Sequence, residues 1–225
     1  MGIEEAKAAA GRRAAMLIEN GMIVGLGSGS TAAYFIDALI HRVNQGLRIS
    51  AVASSNASAK LASQGGIRVL DINAAPKIDM TVDGADEIDQ KKQMIKGGGG
   101  AHTREKILAA ASHEMVVIVD ETKLVNAIGQ CKLPVEILHF GSPITRNRLE
   151  NQGYKGQWRI NADGSLFLTD NGNPIFDIRF DFPPANPEEE NEQILRTLGV
   201  IDTGFFFHLA GRVLIGHLDG TVEMR

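Results

Sequence analysis

The chain of 225 residues is long enough to bury a substantial core, either as one domain with an appendage or as two small domains. Its hydrophobic fraction of 44% and its charged fraction of 22% are those of an ordinary globular protein. The formal net charge of −4 and the pI near 5.9 provide no basic surface for nucleic acid, so nucleic acid is not an expected partner.

Three further features narrow the class of protein. Cys131 is the single cysteine, so an intramolecular disulfide cannot form. The sequence shows neither a signal-type segment nor a long apolar run, which predicts a cytoplasmic protein with no membrane partner. The six histidines form no HxxxH or HxH pair, so no metal site is predicted.

Strand and helix patterns alternate through the first part of the chain. Early acidic residues, an Ala-rich middle and Asn20-Gly21 predict a helix over 3–20. The elements predicted next are a strand at 22–25, a helix at 32–43, a strand at 47–54, a helix at 56–64, strands at 67–70 and 78–82, a helix at 103–112 and a strand at 115–119. This alternation predicts an α/β fold with a doubly wound, mostly parallel, Rossmann-like sheet, whose ligands bind outside the carboxyl ends of the strands.

The character of the chain changes after Cys131. The elements predicted there are strands at 135–140, 157–160, 166–169 and 174–180, and helices at 143–152 and 187–198. The segments 200–207, 212–217 and 221–224 are expected to lead the chain back toward the main sheet. We therefore expect a second, smaller α+β domain at 131–204 and a Rossmann-like catalytic domain formed by 1–130 and 205–225. The apolar run at 204–207 is interpreted as core or subunit interface.

A glycine-rich loop at 25–31, Gly-Leu-Gly-Ser-Gly-Ser-Thr, joins the first predicted strand to the next helix. Unpaired N–H groups and the positive dipole end of that helix would point into the loop, where Ser28, Ser30 and Thr31 add hydroxyl groups, so the pattern predicts an anion site. The spacing is G-x-G-x-G rather than the dinucleotide fingerprint, and no lysine occupies the Walker position. A phosphate monoester is therefore favoured over NAD or ATP. The alternative is a tight turn capped by Ser30 or Thr31.

The stretch 83–106 holds the densest group of polar residues. Asp83 and Asp86 follow a predicted strand, and Lys96 precedes four consecutive glycines. Such a glycine run is unfavourable inside a helix or strand and suits a loop that closely approaches a bound molecule. Glu105 follows in the first turn of the next helix. The alternative is a solvated turn and a flexible linker, with Glu105 only complementing the helix dipole.

These groups together fit an aldose–ketose isomerisation without metal or cofactor. The reaction needs a base that carries a proton between adjacent carbons, a group that stabilises the enediolate and a group that opens the sugar ring. Glu105 is the candidate base, because the helix dipole favours its ionised form. Asp83 and Asp86 carry negative charge where the intermediate is also negative. They can therefore help only by accepting hydrogen bonds from the sugar hydroxyls or by carrying a proton.

Five segments of the sequence, GLGSGSTA, VDGADEID, KGGGGAHTREK, VDETK and LPVE, resemble the signatures of the type A ribose-5-phosphate isomerase family. The resemblance runs from Lys7 to the C-terminal hairpin. It implies interconversion of D-ribose 5-phosphate and D-ribulose 5-phosphate through an enediolate, in the non-oxidative pentose phosphate pathway, by a homodimer or homotetramer. His102 departs from the pattern, which commonly has leucine there, and we interpret it as a tolerated variation rather than a residue at the edge of the site.

The resemblance also implies roles for individual residues. Glu105 would be the base, Asp83 and Asp86 would handle the sugar hydroxyls and carbonyl oxygen, and Lys96 would assist ring opening or stabilise charge. The substrate-binding residues implied are Lys7, Ser28, Gly29, Ser30, Thr31, Gly84, Ala85, Gly97, Gly98, Gly99 and Lys123. We expect no metal ligand and no cofactor.

Two other classes of protein share parts of this pattern. A sugar-phosphate sensor module would need no carboxylate at position 105 and would usually carry a basic helix-turn-helix segment, which the sequence lacks. An acyl-CoA transferase of related architecture would use a glutamate as a covalent nucleophile. A glutamyl thioester at Glu105 would identify that enzyme.

Overall fold

The computed structural model describes residues 2–75 and 77–225. The chain folds into two compact units: the first contains residues up to Ala85, Arg104–Leu124 and Leu209–Arg225, and the second contains Asp86–Thr103 and Val125–His208. Within the described residues, no helix is both long and apolar enough to cross a membrane.

Six helices and fourteen strands follow one another along the described chain. In chain order they are α1 (Ile3–Ala15), β1 (Ile23–Leu26), α2 (Gly29–Asn44), β2 (Ser50–Ala53), α3 (Asn56–Gln64), β3 (Arg68–Val69), β4 (Ile78–Asp83), β5 (Glu87–Ile88), β6 (Met94–Ile95), α4 (His102–Ala110), β7 (Ser112–Asp120), β8 (Leu133–Ile137), α5 (Ser142–Asn151), β9 (Lys155–Trp158), β10 (Ile175–Arg179), α6 (Pro187–Leu195), β11 (Val200–Thr203), β12 (Phe205–Phe206), β13 (Ala210–Gly216) and β14 (Val222–Met224).

The first unit is built on a seven-stranded sheet in the order β14-β13-β7-β4-β1-β2-β3. Neighbouring strands are parallel except for β13 and β14. From β1 the chain adds β2 and β3 on one side and then β4, β7 and β13 on the other, so the strand order reverses between β1 and β4. Doubly wound sheets bind ligands at such a switch point, outside the carboxyl ends of the strands. The predicted fold class is confirmed for this unit.

Burial explains why the central strands and the first helix pack as they do. The last six residues of β7 are all buried, as expected for a central parallel strand that is covered on both faces. The helix α1 presents small residues to its neighbours. At Gly11, α1 and α2 are so close that a Cβ on the glycine would lie 2.8 Å from the backbone nitrogen of Phe35 on α2. The alanine-rich sequence of α1 is thus a packing requirement as well as a helix signal.

The second unit contains two antiparallel sheets and the helices α5 and α6. Its four-stranded sheet has the order β11-β8-β10-β9, and its three-stranded sheet has the order β12-β6-β5. Phe176 and Phe205 are fully buried in its core. Phe206 is also fully buried, so the apolar run at 204–207 belongs mainly to this core. The predicted smaller α+β fold is confirmed.

Helix bounds agree with the sequence patterns to within two residues except at three ends. The helix α6 ends at Leu195 rather than at residue 198. The helix α1 ends at Ala15 rather than at residue 20, because the guanidinium of Arg42 donates hydrogen bonds to the carbonyl oxygens of Ala15 and Ile18. The helix α2 begins at Gly29 rather than at residue 32. The glycine-rich loop therefore supplies the first turn of α2 itself.

Three predictions for the strands differ from the structure. The segment 200–207 does not lead to the main sheet, because it forms β11 and β12, which pair with β8 and β6 in the sheets of the second unit. The predicted strand at 166–169 is wrong: Leu166 and Leu168 form only isolated bridges, and a turn closed by the N–H of Thr169 and the carbonyl of Asn173 bends the chain. The hairpin of β5 and β6 was missed. It pairs with β12, which explains why Asp86–Thr103 lies in the second compact unit instead of the first predicted domain, 1–130.

Candidate active site

The carboxylate of Asp83, at the end of β4, organises the loop between β1 and α2. Its Oδ1 accepts hydrogen bonds from the backbone N–H of Ser28 at 3.0 Å and of Gly84 at 2.7 Å. The N–H of Gly27 donates to the carbonyl of Val82 at 2.9 Å. A Cβ on Gly27 would overlap the Asp83 carboxylate, so only glycine fits there. The sequence-predicted loop and the sequence-predicted carboxylate therefore meet at the switch point of the sheet.

The first turn of α2 has the features of an anion site. Ser28 is the N-cap residue in an extended conformation, and its side chain makes no capping hydrogen bond. The first turn contains no acidic residue, and Gly29 and Ser30 are exposed. The N–H groups of an α-helix's first turn have no acceptor within the helix, and the dipole places partial positive charge there. This arrangement suits a phosphate group.

A group of buried serines supports this loop from behind, and the sequence analysis did not identify it. The hydroxyl of Ser54 donates to the carbonyl of Leu26 at 3.0 Å and lies 2.8 Å from the hydroxyl of Ser28. Because the single hydroxyl hydrogen of Ser54 goes to Leu26, Ser28 donates its own hydrogen to Ser54. The hydroxyl of Ser58 donates to the carbonyl of Gly27 at 2.7 Å. In this arrangement Ser28 shapes the loop, and its predicted contact with phosphate stays a prediction.

Other predicted residues of the first unit lie along the same edge of the sheet. A Cβ on Gly84 would lie 3.8 Å from the Cβ of Thr31, so these two predicted residues are neighbours. Asp120 ends β7, and its Oδ1 accepts a hydrogen bond from the N–H of Thr122 at 3.1 Å. This bond caps the short 3₁₀ turn that carries the half-buried Lys123. The parallel strands β4 and β7 thus present Asp83 and Asp120 at their carboxyl ends.

Lys7 lies on α1, where its ammonium group pairs with Glu4 at 2.8 Å. The preceding residue, Ala6, packs its carbonyl against Gly216, the last residue of β13, so closely that a Cβ on the glycine would overlap it. Gly216 pairs in register with Asp120. The backbone at Lys7 therefore lies at the carboxyl edge of the sheet, while its predicted contact with substrate stays a prediction.

The second unit holds Asp86 and the glycine loop that follows Lys96. The N–H of Asp86 donates to the carbonyl of Ile95 at 2.8 Å, and its Oδ2 accepts the N–H of Gly98 at 2.7 Å. The Gly98 N–H is therefore committed to Asp86. Gly99 is exposed, with open space where a Cβ would be, so the loop presents bare backbone there.

Two glycines of this loop are required by close packing. Gly97 has a φ of +100°, and a Cβ on it would lie 2.8 Å from Nδ1 of His102. His102 is fully buried. Gly100 has a φ of +83°, and a Cβ there would lie 2.6 Å from the ring of Phe167. The interpretation of His102 as a tolerated variation stays a prediction.

Arg159 holds the other side of the glycine loop and was missed by the sequence analysis. Its Nη1 donates to the carbonyl of Gly97 at 2.8 Å and to that of Gly98 at 3.0 Å. Its remaining nitrogens form a bidentate pair with Asp177, at 3.0 Å for Nε and 2.5 Å for Nη2. Both side chains are buried. The partners are 18 or about 60 positions apart in sequence, so no local pattern could have identified this arginine.

Lys96 is buried, with 3% of its surface exposed. Its backbone N–H donates to the carbonyl of Gly204 at 2.9 Å, which ties it to the core of the second unit. Its Nζ lies 5.3 Å from the centre of the Phe206 ring, a distance at which the ring face attracts a cation. Lys96 is therefore a buried side chain packed on the Phe206 ring rather than a solvated surface residue.

Glu105 is buried in the first turn of α4, with 4% of its surface exposed. The positive end of the helix favours the ionised carboxylate at this position. Two residues earlier, the hydroxyl of Thr103 donates to the carboxylate of Glu136 on β8. The start of α4 is thus held by a side chain as well as by its backbone.

The predicted site residues are divided between the two compact units. The first contains Lys7, Ser28, Gly29, Ser30, Thr31, Asp83, Gly84, Ala85, Glu105 and Lys123, and the second contains Asp86, Lys96, Gly97, Gly98 and Gly99. The chain passes between the units at Ala85–Asp86 and at Thr103–Arg104, within the predicted stretch itself. Over residues 2–75 and 77–225, no group of three or more His, Cys, Asp or Glu side chains is arranged to hold a metal ion.

Comparison with known proteins gives consistent similarities. The family model described as Ribose 5-phosphate isomerase A (phosphoriboisomerase A) matches residues 50–220. A ribose-5-phosphate isomerase A of Protochlamydia amoebophila (strain UWE25) is 49% identical over 220 residues, covering 98% of this chain and 95% of that protein.

Two solved structures resemble the whole chain. One is a D-ribose-5-phosphate isomerase in complex with phospho-erythronic acid, with a TM-score of 0.94 and 34% identity, covering 100% of this chain and 99% of that one. The other is ribose 5-phosphate isomerase A from Methanocaldococcus jannaschii, with a TM-score of 0.91 and 33% identity, covering 99% and 98% of the two chains.

Proposed function

The chain belongs to the ribose 5-phosphate isomerase A family, and from this premise we propose that it interconverts D-ribose 5-phosphate and D-ribulose 5-phosphate through an enediolate. The observation that carries the proposal is the hydrogen bond from the Ser28 N–H to Oδ1 of Asp83 at 3.0 Å. This bond holds the start of α2 at the switch point of the sheet, where the N–H groups of its first turn are suited to an anion. A phosphorylated substrate is the ligand that such a site recognises.

The phosphate group binds at the first turn of α2. The N–H groups of Gly29, Ser30 and Thr31 and the hydroxyls of Ser30 and Thr31 donate to its oxygens, and the helix dipole favours its negative charge. Lys7 and Lys123 add positive charge at the same edge of the sheet. The similar structure that contains phospho-erythronic acid, a phosphorylated sugar acid, supports a ligand of this class.

Ring opening is the first chemical step. The C1 hydroxyl gives up its proton and the ring oxygen gains one as the bond between C1 and the ring oxygen breaks. We assign the proton donated to the ring oxygen to Lys96, whose side chain is buried and lies over the ring of Phe206. Lys96 takes up the proton that the C1 hydroxyl releases, so its ammonium group is restored before the second step. Asp83 and Asp86 accept hydrogen bonds from the sugar hydroxyls. Each uses its second carboxylate oxygen, because the first accepts a backbone N–H, that of Ser28 for Asp83 and that of Gly98 for Asp86.

Proton transfer between C2 and C1 is the second step. The carboxylate of Glu105 takes the proton from C2 of the open-chain aldose, which places the developing negative charge on the oxygen at C1. The ammonium group of Lys96 stabilises that charge. Glu105 then returns the proton to C1, and the proton of the C2 hydroxyl passes to the oxygen at C1, so that the carbonyl of the ketose forms at C2. A positioned base of this kind contributes about 10²- to 10⁴-fold to the rate.

The proposal also covers the oligomeric state, the location, the pathway and the need for a metal or cofactor. We propose that the enzyme works as a homodimer or homotetramer in the cytoplasm, within the non-oxidative pentose phosphate pathway, and that it uses neither metal nor cofactor. The support is the family resemblance in the five sequence segments. Light scattering coupled to size-exclusion chromatography measures the oligomeric state.

The test is isomerisation of ribose 5-phosphate in deuterated water with EDTA present. We compare the wild type, Glu105→Gln and a control, Glu192→Gln, which makes the same chemical change at an exposed carboxylate on α6. Wild type and control should turn over at equal rates and place deuterium at C2 of recovered aldose. The Glu105→Gln variant should lose about 10²- to 10⁴-fold in kcat while still binding phosphorylated sugar acid.

Three outcomes would contradict parts of the proposal. Binding without turnover by the wild type would indicate a sensor module. Full activity of Glu105→Gln would show that another group is the base. A glutamyl thioester formed with an acyl-CoA would identify a transferase.

A further inference from the structure

A buried carboxylate outside the predicted site, that of Glu136 on β8, is surrounded by four side-chain donors. Glu136 is 1% exposed. Its Oε1 accepts hydrogen bonds from the Thr169 hydroxyl at 2.8 Å, the Asn171 amide at 3.1 Å and the Asn173 amide at 2.9 Å, and its Oε2 accepts the hydroxyl of Thr103. Burial raises the pKa of Glu136, but the hydrogen bonds from Thr103 and the three other donors outweigh this effect, so its pKa lies below the usual value.

Three of the four donors belong to one local turn, Thr169–Asn173. The turn is closed by the N–H of Thr169 donating to the carbonyl of Asn173 at 2.8 Å, with Gly172 at a φ of +78°. These three donors all bind the same oxygen, Oε1. The turn Thr169–Asn173 therefore supplies these three hydrogen bonds to Oε1, one of the two carboxylate oxygens.

Thr103 is different, because it comes from the beginning of α4. It binds the second oxygen, Oε2, and lies two residues before Glu105 on a continuous helix that starts at His102. A threonine hydroxyl in the first turn of a helix can be hydrogen bonded by water, so helix formation does not require a buried carboxylate there. The contact specifies where the first turn of α4 lies.

The chain immediately before Thr103 is the glycine loop, which has the greatest backbone freedom in the sequence. Arg159 holds the carbonyls of Gly97 and Gly98 at one end of this segment, and Glu136 holds Thr103 at the other. The bond from Thr103 to Glu136 therefore links the start of α4 to β8. A displacement of about 1 Å between reacting groups costs on the order of 10²-fold in rate.

We propose that Glu136 is a positioning residue for proton transfer, acting through Thr103 to fix the first turn of α4 and thereby the carboxylate of Glu105. The inference rests on the proposed function, in which Glu105 is the base. It assigns Glu136 no contact with substrate and no proton of its own.

The test compares two isosteric substitutions, Thr103→Val and Thr169→Val. Each removes one hydroxyl donor from the same buried carboxylate. Thr169→Val also removes the acceptor of the N–H groups of Asn171 and Asn173, so it should lower Tm at least as much as Thr103→Val. Only Thr103→Val releases the start of α4, so it should lower kcat by about 10- to 100-fold with KM for ribose 5-phosphate within about twofold. Thr169→Val should keep kcat within about twofold of the wild type. Thr103→Ser, which retains the hydroxyl, should restore most of the lost kcat.

The pH dependence of kcat provides a second readout, since a merely structural contact would not move it. The acidic limb, which reports the base in the enzyme–substrate complex, should shift in Thr103→Val and stay in place in Thr169→Val. Equal losses of kcat in the two valine variants, or no loss in Thr103→Val, would overturn the inference while leaving the isomerase function intact. Absence of isomerisation in the wild type would contradict the proposed function and this inference together.

Discussion

The Oδ1 atom of Asp83 accepts the backbone N–H of Ser28 at 3.0 Å, across 55 positions of sequence. The bond joins the carboxyl end of β4 to the residue that caps α2. A charged acceptor strengthens such a bond relative to a neutral one. The carboxylate therefore has a structural role at the phosphate loop in addition to any contact with the sugar, which explains how an acidic residue can be useful beside an anionic ligand.

Ser54 supports the same loop from the opposite side, and its removal should weaken phosphate binding. Ser54→Ala deletes the bond to the Leu26 carbonyl and the partner of the Ser28 hydroxyl. The loss of a buried hydrogen bond costs about 1 kcal/mol, so KM for ribose 5-phosphate should rise roughly five-fold with little change in kcat. Steady-state kinetics across a substrate series measures both constants.

The matched control for that experiment is Ser63→Ala on α3, where the hydroxyl bonds only the Lys60 carbonyl of its own helix at 3.1 Å. This variant should leave KM unchanged. An unchanged or lower KM in Ser54→Ala would show that the Ser28 hydroxyl is better placed on phosphate than on Ser54.

Local signals determined how well each element could be predicted from the sequence. The helix α3 matches its predicted bounds, since Ser55 caps its first turn by accepting the N–H of Ser58 and Gly65 follows its last residue. The region at 166–169 alternates like a strand but lacks a continuous neighbour, because Thr169 turns toward Glu136. Alternation identifies a strand only where a partner strand exists.

In the candidate site, too, residues with a local sequence signal were predicted and residues that act on distant segments were not. The glycine loops and the carboxylates at strand ends were identified because their residue types are unusual at those positions. Ser54, Glu136 and Arg159 were not, since each acts on a segment between 26 and 62 positions away. Such supporting residues have ordinary local sequences, and their roles depend on the tertiary fold.

Arg159 should be required for a stable glycine loop. Arg159→Lys keeps a positive charge but loses the fork that binds two carbonyls and Asp177 together. We expect the free energy of unfolding to fall by about 2 to 3 kcal/mol, because buried acceptors lose their donors. We also expect kcat to fall by about 10-fold or more through movement of the loop. Urea unfolding and steady-state kinetics measure the two effects.

Lys132→Ala is the control for Arg159→Lys. Lys132 also pairs with Asp177, at 2.6 Å, but its side chain is 42% exposed. An exposed pair contributes about 0 to 1 kcal/mol, so this variant should change stability little and leave kcat unchanged. If the two variants behave alike, the contacts with the glycine carbonyls have no role in activity.

His217 should make stability depend on pH near neutrality. Its Nδ1 lies 2.5 Å from Glu121 and its Nε2 lies 3.5 Å from Glu223, and the hydrogen bond with Glu121 is the main cause of its raised pKa. Asp219 adds a further negative charge nearby. A raised pKa in the folded state means that the protonated imidazole stabilises the fold below the usual value of 6.5, and that this contribution is lost as pH rises through the folded-state pKa.

The variant His217→Gln tests this pH dependence. Urea unfolding at a series of pH values measures the unfolding free energy of the wild type and of the variant. The difference in unfolding free energy between wild type and variant should be largest near pH ~5.5 and should disappear by pH ~9. His208→Gln is the control, because the His208 side chain is 80% exposed and lies 3.4 Å from one carboxylate, Glu188. The control should show a small difference in unfolding free energy. About 0.5 M salt should remove this difference, because dissolved ions screen the attraction between exposed charges. A difference for His217→Gln that grows with pH would contradict the assigned ion pairs, since only the protonated imidazole attracts Glu121 and Glu223.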